Sequence, residues 1–451
     1  MTKRITRYSA RYRRFRLQKS PQFNLVWGFL GYTLLGWLLL LVPWFHKTSA
    51  PVLDHLFTAT SAISTTGLTT VGVFDTYNLV GQIIVMLLFQ VGGIGYMTLT
   101  TYFLLYTTKN IQHYHRRIIG AGFTMPDTIR VEDFLRSVIV FTIVMEVLGA
   151  VSFFIGFRQT GMDAGQAVWF SIFHSVSAFC TAGFGLFGDS FEGYRSNGLM
   201  NATISILAIA GSLGFIVITD LWYRLTGRSK ALSFTTKIVV YGFVLLLGGG
   251  TLLLRLTEPL MQLEPGNAWL TSFFQAMTAM TTVGFNTVPT GELSLPLLLF
   301  IFFLMYLGAS PSGTAGGMKI TTLTAMLAVL KSRLLGEKRI TFFGRLIPFE
   351  RLYVATATFI FYTSLVFGFT FLLSFIEGAT LERLLFEVAS ALGTVGLSVG
   401  VTGELSVAGK VIFIIIMFIG RVGVLTFGFA LLERRRRTID ESTLVEEDLA
   451  V

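Results

Sequence analysis

Hydrophobic residues fall into eight long stretches that are separated by polar connections. Each stretch is close to or longer than the roughly 20 apolar residues that an α-helix needs to cross a bilayer. They cover residues 24–44, 78–108, 137–157, 196–219, 238–254, 293–334, 352–376 and 411–432. The pattern predicts an all-α integral membrane protein with eight transmembrane helices, of which the sixth is interrupted in its middle.

Composition agrees with this interpretation. Of 451 residues, 53% are hydrophobic and 13% are charged, and the mean hydropathy is +0.69. Because a soluble chain carries roughly a quarter of charged residues, these values exclude a water-soluble enzyme and a disordered scaffold. A single cysteine, Cys180, excludes a secreted protein held together by disulfides within the chain.

The net charge of +10 reflects the distribution of Lys and Arg along the chain. Residues 1–20 carry eight basic residues and no acidic one. Fifteen more follow the second, fourth and sixth stretches and four follow the eighth, against six on the opposite side. The positive-inside rule therefore predicts that both termini are cytoplasmic. The same count points to anionic lipid headgroups, and not nucleic acid, as the partner of this charge.

A repeat occupies the four outward connections. Residues 57–68, 173–184, 274–285 and 386–397 share the pattern F-x-x-x-[ST]-A-x-x-T-x-G-[LF], with Gly67, Gly183, Gly284 and Gly396 at the same position. A glycine that caps a short helix would explain each end separately. Four such ends on one side indicate re-entrant half-helices, which are tolerated at membrane depth only where the following backbone lines a watery path. We therefore predict four tandem helix–pore-helix–helix repeats with pseudo-fourfold symmetry around one central pore.

The residues around these glycines are the candidate selectivity filter. Inward carbonyl rings replace the hydration shell of a monovalent cation, glycine permits the backbone conformation that such a ring needs, and the negative ends of the half-helices point at the cation. The candidate K⁺-binding residues are Thr65, Thr66, Gly67, Leu68, Thr181, Ala182, Gly183, Phe184, Thr282, Val283, Gly284, Phe285, Thr394, Val395, Gly396 and Leu397.

The interruption in the sixth stretch is a second candidate site. Several glycines and a proline close together cannot hold a helix. A phosphate-binding loop is excluded because Ile320 follows Lys319, where Ser or Thr is required. A passive kink remains the alternative to a gate. The candidate gate-loop residues are Gly308, Ala309, Ser310, Pro311, Ser312, Gly313, Thr314, Ala315, Gly316, Gly317 and Lys319.

Each second span of a repeat also carries a glycine, namely Gly92, Gly211, Gly308 and Gly420. Close packing of helices explains these glycines better than hinges do. The next residue in the fourth repeat is Arg421, which is costly in a membrane and should face the pore or the loop. We expect its partners among the hydroxyls of Ser310, Ser312 and Thr314 and nearby carbonyls.

These features resemble the Ktr/Trk/HKT superfamily of potassium transporters, and most closely the bacterial KtrB-like membrane subunit. The resemblance covers about residues 23–432. It implies potassium uptake in a bacterial cell membrane, with one pore per chain of a homodimer and possible sodium stimulation. It also implies a cytosolic nucleotide-binding (RCK-type) regulatory ring, an intramembrane gate loop, and Arg421 as an electrostatic barrier. A residue that only ties helices together is the alternative for Arg421.

The expected organisation is a basic arm (1–20), repeats at 21–110, 111–230, 231–345 and 346–433, and a cytoplasmic tail (434–451). His174 and Glu387 follow the first Phe of their half-helices and should support the filter without touching the ion. No residue pattern indicates an organic cofactor or an enzyme active site. A sodium or mixed-cation transporter of the same fold is the main alternative, and a polytopic membrane enzyme is the alternative from another class.

Overall fold

The computed structural model describes residues 21–95, 131–258, 267–308 and 310–432. Across these ranges a long helix, a short helix and a second apolar helix follow one another four times. The long helices are α1 (Pro21–Leu40), α4 (Val131–Gln159), α8 (Phe234–Thr257) and α12 (Phe349–Ser374). All four are long and apolar enough to cross a membrane. Large apolar side chains lie exposed on their outer faces, for example Leu148, Leu245 and Phe371.

The short helices hold 12 to 16 residues and are fully buried from the Phe of the repeat motif to their C-terminal ends. At 1.5 Å per residue they span about 18–24 Å, less than the roughly 30 Å of a bilayer core. Each ends just before the Thr-x-Gly of its repeat, as predicted. They are α2 (Val52–Ile63), α5 (Ala164–Phe179), α9 (Ala268–Thr281) and α13 (Leu381–Gly393).

The second helices of repeats 2, 3 and 4 are broken. In repeat 2, α6 and α7 meet at 94°, and in repeat 4, α14 and α15 meet at 101°. In repeat 3 an irregular loop separates α10 from α11, and in repeat 1 α3 ends at Gly95. The bounds are α3 Leu79–Ile94, α6 Gly198–Ser212, α7 Phe215–Leu225, α10 Leu295–Tyr306, α11 Ile320–Leu334, α14 Val407–Val422 and α15 Val424–Leu432.

The sequence analysis found the interruption in the sixth stretch but missed the breaks in the fourth and eighth stretches. Gly95, Gly214 and Gly423 have φ of +87°, +86° and +92°, which a right-handed helix cannot contain. In repeats 2 and 4 the chain turns at this glycine and resumes as a separate helix. Hydropathy did not reveal these breaks, because apolar residues lie on both sides of each glycine.

Close packing explains the earlier glycine of each second helix, as predicted. A Cβ on Gly92, Gly211 or Gly420 would lie 2.0–2.2 Å from a backbone carbonyl oxygen at the end of the half-helix of the same repeat. These oxygens belong to Ile63, Phe179 and Leu392. In repeat 3, Gly308 instead lies against the carbonyl of Gly316, because the irregular loop fills that place.

Two short pairs of strands complete the fold. The parallel pair β1 (Leu307–Gly308) and β2 (Met318–Lys319) joins the two ends of the irregular loop. The antiparallel pair β3 (Thr341–Phe342) and β4 (Arg345–Leu346) forms a hairpin between α11 and α12. Residues 1–20, 434–451 and Ala309, which include the predicted arm, the tail and one candidate gate residue, lie outside the described residues.

Candidate functional site

The four Thr-x-Gly loops meet at one place, around a cavity of about 340 Å³ that all four glycines line. Their contacts form a closed cycle through the four repeats. A Cβ added to each glycine would collide with the carbonyl oxygen of the residue before the glycine of the next repeat. The added Cβ would lie 2.5 Å from the Ala182 oxygen at Gly67 and 2.6 Å from the Val283 oxygen at Gly183. It would lie 2.1 Å from the Val395 oxygen at Gly284 and 2.3 Å from the Thr66 oxygen at Gly396.

The backbone has the same unusual conformation in all four loops. Thr65, Thr181, Thr282 and Thr394 have φ of +49° to +58°, and the glycines have φ of +68° to +93°. The left-handed region is strained for a β-branched residue and easy only for glycine. Strain of this kind persists where the surrounding structure enforces it, commonly at functional sites. Its presence in four places supports a shared role for these loops.

Two buried polar side chains support the backbone just beyond the loops. The Glu387 carboxylate accepts hydrogen bonds from the amides of Val399 (3.0 Å) and Val401 (3.2 Å), and from the hydroxyls of Ser398 and Thr402 (both 2.6 Å). This arrangement holds the outer segment of repeat 4 against α13. These contacts agree with the predicted supporting position of Glu387, whereas its role for a filter stays a prediction.

His174 has the same position in repeat 2. Its Nε2 accepts from the amide of Leu186 at 3.1 Å, and its Nδ1 lies 2.7 Å from the carbonyl oxygen of Phe170. Both His174 and Glu387 thus hold the amide that lies twelve residues further along the chain. At the matching position of repeat 3, the buried amide of Gln275 has no hydrogen-bond partner among the described residues.

Acidic side chains surround the outer mouth of the ring. Asp75, Asp189 and Glu192 line the same cavity as the four glycines. Burial raises the pKa of the Glu192 carboxyl, and a 2.7 Å hydrogen bond from Asn286 opposes this effect. Carboxylates at the mouth of a cleft concentrate cations there. The sequence analysis missed these acids, because they come from two different repeats and share no motif.

The irregular loop of repeat 3 lies against the threonines of the ring. The Thr314 hydroxyl lies 3.0 Å from that of Thr181, and the Gly316 amide donates to the Thr282 hydroxyl at 3.2 Å. A Cβ on Gly316 would lie 2.1 Å from the Thr394 hydroxyl. The loop therefore touches three of the four ring threonines. Within the described part of the chain, the buried Thr65 hydroxyl has no partner.

The same loop fills the break in the second helix of repeat 2. The Thr314 amide donates to the carbonyl of Gly211 at 3.1 Å. Ser312 accepts the first two amides of α7, from Phe215 at its carbonyl (3.2 Å) and from Ile216 at its hydroxyl (3.3 Å). These amides have no partner within their own helix, so Ser312 acts as a cap from another repeat.

Two cations hold carbonyl groups of the loop. The Lys319 ammonium donates to the carbonyls of Ala315 at 2.6 Å and Gly316 at 2.7 Å. Arg421 donates through Nη1 to the carbonyl of Thr314 and through Nη2 to that of Gly92, with Gly93 at 3.2 Å. Arg421 thus connects the loop to the C-terminal end of α3, where free carbonyls favour a cation.

The prediction of the hydrogen-bond partners of Arg421 is partly wrong. It binds carbonyl oxygens, and the hydroxyls of Ser310 and Ser312 are engaged elsewhere. Ser310 donates to the carbonyl of Pro311 at 3.1 Å, and Ser312 accepts from Ile216. A planar guanidinium with several fixed donors suits two carbonyls on different elements better than one flexible hydroxyl.

Long apolar helices around a ring of backbone carbonyls with an acidic mouth define an α-helical membrane transport protein for cations. The chain belongs to the TrkH family, described as cation transport proteins, whose family model matches residues 32–433. It is therefore a transporter and not an enzyme.

Curated relatives agree with this assignment. The potassium/sodium uptake protein NtpJ of Enterococcus hirae is 35% identical over 97% of this chain and 98% of its own length. The Ktr system potassium uptake proteins B of Vibrio alginolyticus and Bacillus subtilis are 34% and 33% identical, and the alignments cover 90% and 93% of this chain and 90% and 95% of theirs. The crystal structure of the potassium transporter TrkH from Vibrio parahaemolyticus shares the fold, with a TM-score of 0.75 at 20% identity over 93% of this chain and 86% of that one.

Proposed function

We propose that this chain forms the pore of a potassium uptake system, with one pseudo-fourfold pore per chain and the Thr-x-Gly loops as its selectivity filter. The closed cycle of contacts between glycine and carbonyl through all four repeats carries this proposal. Carbonyl oxygens at one level replace the water around a dehydrated cation. The four repeats, 21–110, 111–230, 231–345 and 346–433, each supply one wall.

The loop from Gly308 to Lys319 is the gate in this proposal. Its contacts with three ring threonines support a position directly on the inner side of the filter. Potassium leaving the filter meets the loop and the positive charge of Arg421. Arg421 then has two roles, as an electrostatic barrier and as a clamp between the loop and α3.

The relatives supply the wider context of the proposal. Two are named as parts of Ktr systems, and one as a potassium/sodium uptake protein. We infer a homodimer in a bacterial cell membrane, with both termini and the basic connections on the cytoplasmic side. A cytosolic nucleotide-binding ring would regulate the gate, and sodium would stimulate uptake. A sodium or mixed-cation pathway is the second candidate, favoured by the name of the Enterococcus relative.

Replacing Gly284 with Ser tests the filter. A Cβ there would lie 2.1 Å from the Val395 carbonyl oxygen, so the ring must move. We expect Gly284→Ser to lower the preference for potassium over sodium by about tenfold, or ~1.4 kcal/mol. The measurement is rubidium uptake against sodium competition in cells that lack other potassium uptake systems.

Gly368→Ser is the matched control. Gly368 lies in α12, and an added Cβ would meet nothing within 4 Å. We expect parental selectivity from it. If Gly284→Ser keeps the parental preference at parental membrane levels, the Thr-x-Gly loops are not the filter. If the parent itself does not prefer potassium, the sodium or mixed-cation alternative is correct.

A further inference from the structure

The hairpin between α11 and α12 contains an aromatic residue in a position that disfavours it. Strands β3 and β4 pair with a two-residue turn, Phe343–Gly344, at φ of +46° and +70°. Turns with two positive φ values favour Asn-Gly, because bulky residues are strained there. The Phe343 side chain is 67% exposed, so packing within the chain does not explain its presence.

Contacts with α8 show how the hairpin is oriented. The Phe343 ring lies 6.3 Å from that of Tyr241, and the Arg345 guanidinium lies 5.5 Å from the ring of Phe234, the first residue of α8. Tyr241 lies seven residues, or about 10 Å, further along α8 than Phe234. Since α8 runs from the basic side of the protein into the apolar region, Phe343 lies deeper along the membrane normal than Arg345.

The face of α8 beside the hairpin is apolar and exposed. Tyr241, Val244 and Leu245 are 65%, 64% and 74% exposed. An exposed apolar strip on a transmembrane helix is a surface that lipid covers. The Phe343 ring therefore lies beside lipid-facing side chains and extends the apolar surface of α8 at the cytoplasmic end.

The charges around the hairpin have one predominant sign. Residues 331–351 contain six basic residues and two acidic ones, Glu337 and Glu350. Lys338, Arg339 and Arg345 are exposed. Each basic residue near an anionic leaflet contributes about 1 kcal/mol to its attraction. An apolar ring placed deeper than a group of cations is the arrangement of a membrane-interface anchor.

We propose that residues 341–346 bind an anionic phospholipid surface, with Phe343 inserted into the cytoplasmic leaflet and Arg345 at the level of the headgroups. The orientation rests on the proposed function, which makes the basic side cytoplasmic. Anionic phospholipid is favoured over a protein partner because Phe343 lies against the lipid-facing strip of α8 and exposed cations lie next to it.

A rigid junction connects this anchor to the gate. Glu337 accepts hydrogen bonds from Ser332 near the end of α11 (3.0 Å) and from Thr341 in β3 (3.1 Å). The Thr341 amide donates to Ser332 at 3.3 Å. Helix α11 begins at Ile320, immediately after Lys319 of the gate loop. The anchor therefore fixes the far end of the helix that follows the gate, and lipid composition becomes an input to gating.

A fluorescent probe at residue 343 tests the anchor. Cys180 is buried, so a thiol-reactive environment-sensitive dye labels Phe343→Cys selectively in the folded protein. In vesicles of phosphatidylcholine and phosphatidylglycerol, we expect blue-shifted emission that lipids brominated near the headgroup quench by about half, because interfacial side chains lie about 5–10 Å into the bilayer. The matched control is Glu404→Cys, in an exposed outer segment, which should stay unquenched.

Three further variants separate the contribution of the ring from that of the charge. Phe343→Asn creates the favoured Asn-Gly turn, so the hairpin should persist while anchoring is lost. Phe343→Trp should keep the anchoring, because Trp is also a large aromatic residue. For rubidium uptake into vesicles, we expect a dependence on the phosphatidylglycerol fraction in the parent and in Phe343→Trp. The dependence should be at least about twofold weaker in Phe343→Asn, which removes the inserted ring, and in Arg345→Gln, which removes one cation at the headgroups.

Quenching does not depend on which ion the chain conducts, so the two proposals fail separately. An unquenched probe at residue 343 with normal potassium-selective uptake overturns the anchor and leaves the filter intact. That result would assign the exposed ring to a protein partner. A quenched probe without potassium selectivity overturns the proposed function and retains a lipid-binding hairpin. Quenching that is equal in neutral and anionic vesicles overturns the role of Arg345.

Discussion

The glycine ring and the loop beneath it are in direct contact, but they are built in different ways. Each of the four repeats contributes the same two left-handed residues, Thr and Gly, to the ring. The loop belongs to repeat 3 alone. It is held by amides and hydroxyls of repeat 2, by Arg421 of repeat 4, and by Thr282 and Lys319 of its own repeat. Four similar backbone segments that contact one another suit a ring of fixed geometry. A single loop held by separate hydrogen bonds can move away while the ring keeps its own contacts. If the ring is the filter and the loop is the gate, as proposed, selectivity and gating can therefore change independently.

Deleting residues 313–317 is the strongest test of this difference. Because the proposed gate lies against three ring threonines, removing it should open the pathway and raise potassium flux by about a hundredfold, or about 2.7 kcal/mol of barrier. Selectivity should change little, because the ring keeps its contacts between repeats. Rubidium and sodium fluxes in proteoliposomes measure both quantities. A deletion variant that assembles normally but conducts less than the parent would show that the loop is structural.

Arg421 tests whether the loop is held by charge or by geometry. A unit charge about 8 Å from a cation path repels the ion by about 2 kcal/mol at an effective dielectric of 20. Arg421→Gln should therefore raise flux by roughly thirtyfold. Arg421→Lys keeps the charge but cannot bridge the carbonyls of Thr314 and Gly92 together. We expect an intermediate increase of about tenfold.

The same flux assay separates the two roles of Arg421. Parental flux in Arg421→Lys would leave the electrostatic barrier as the only role. Equal flux in Arg421→Lys and Arg421→Gln would leave the clamp alone. If both variants conduct like the parent, Arg421 does not face the pathway. In each case the flux is divided by the amount of the protein in the membrane.

The smallest expected effect concerns the support of the ring in two repeats. Glu387 accepts four hydrogen bonds, whereas the amide of Gln275 has no partner within the described residues. Glu387→Gln should lower the free energy of unfolding by about 1 kcal/mol, because an amide NH₂ faces donors. Gln275→Met, a change of similar volume, should be neutral or slightly stabilising. Thermal unfolding in detergent compares them, and equal losses would contradict the difference in support.

The sequence predicted the parts that repeat. Gly67, Gly183, Gly284 and Gly396 stand at one position of a motif that recurs four times, so their common backbone and their half-helices could be expected without a structure. The interruption at 308–319 could also be predicted, since several glycines and a proline are incompatible with a helix. Local propensity and repetition are properties of the chain itself.

The tertiary structure alone decided which groups meet. The breaks at Gly214 and Gly423 are invisible to hydropathy, because single glycines are common in membrane helices that stay straight. Arg421 binds carbonyls of residues more than 100 and more than 300 positions away in the chain, and the acidic mouth collects carboxylates from separate repeats. Such contacts depend on how the helices pack around the ring, and packing distances are not encoded in the spacing of any one segment.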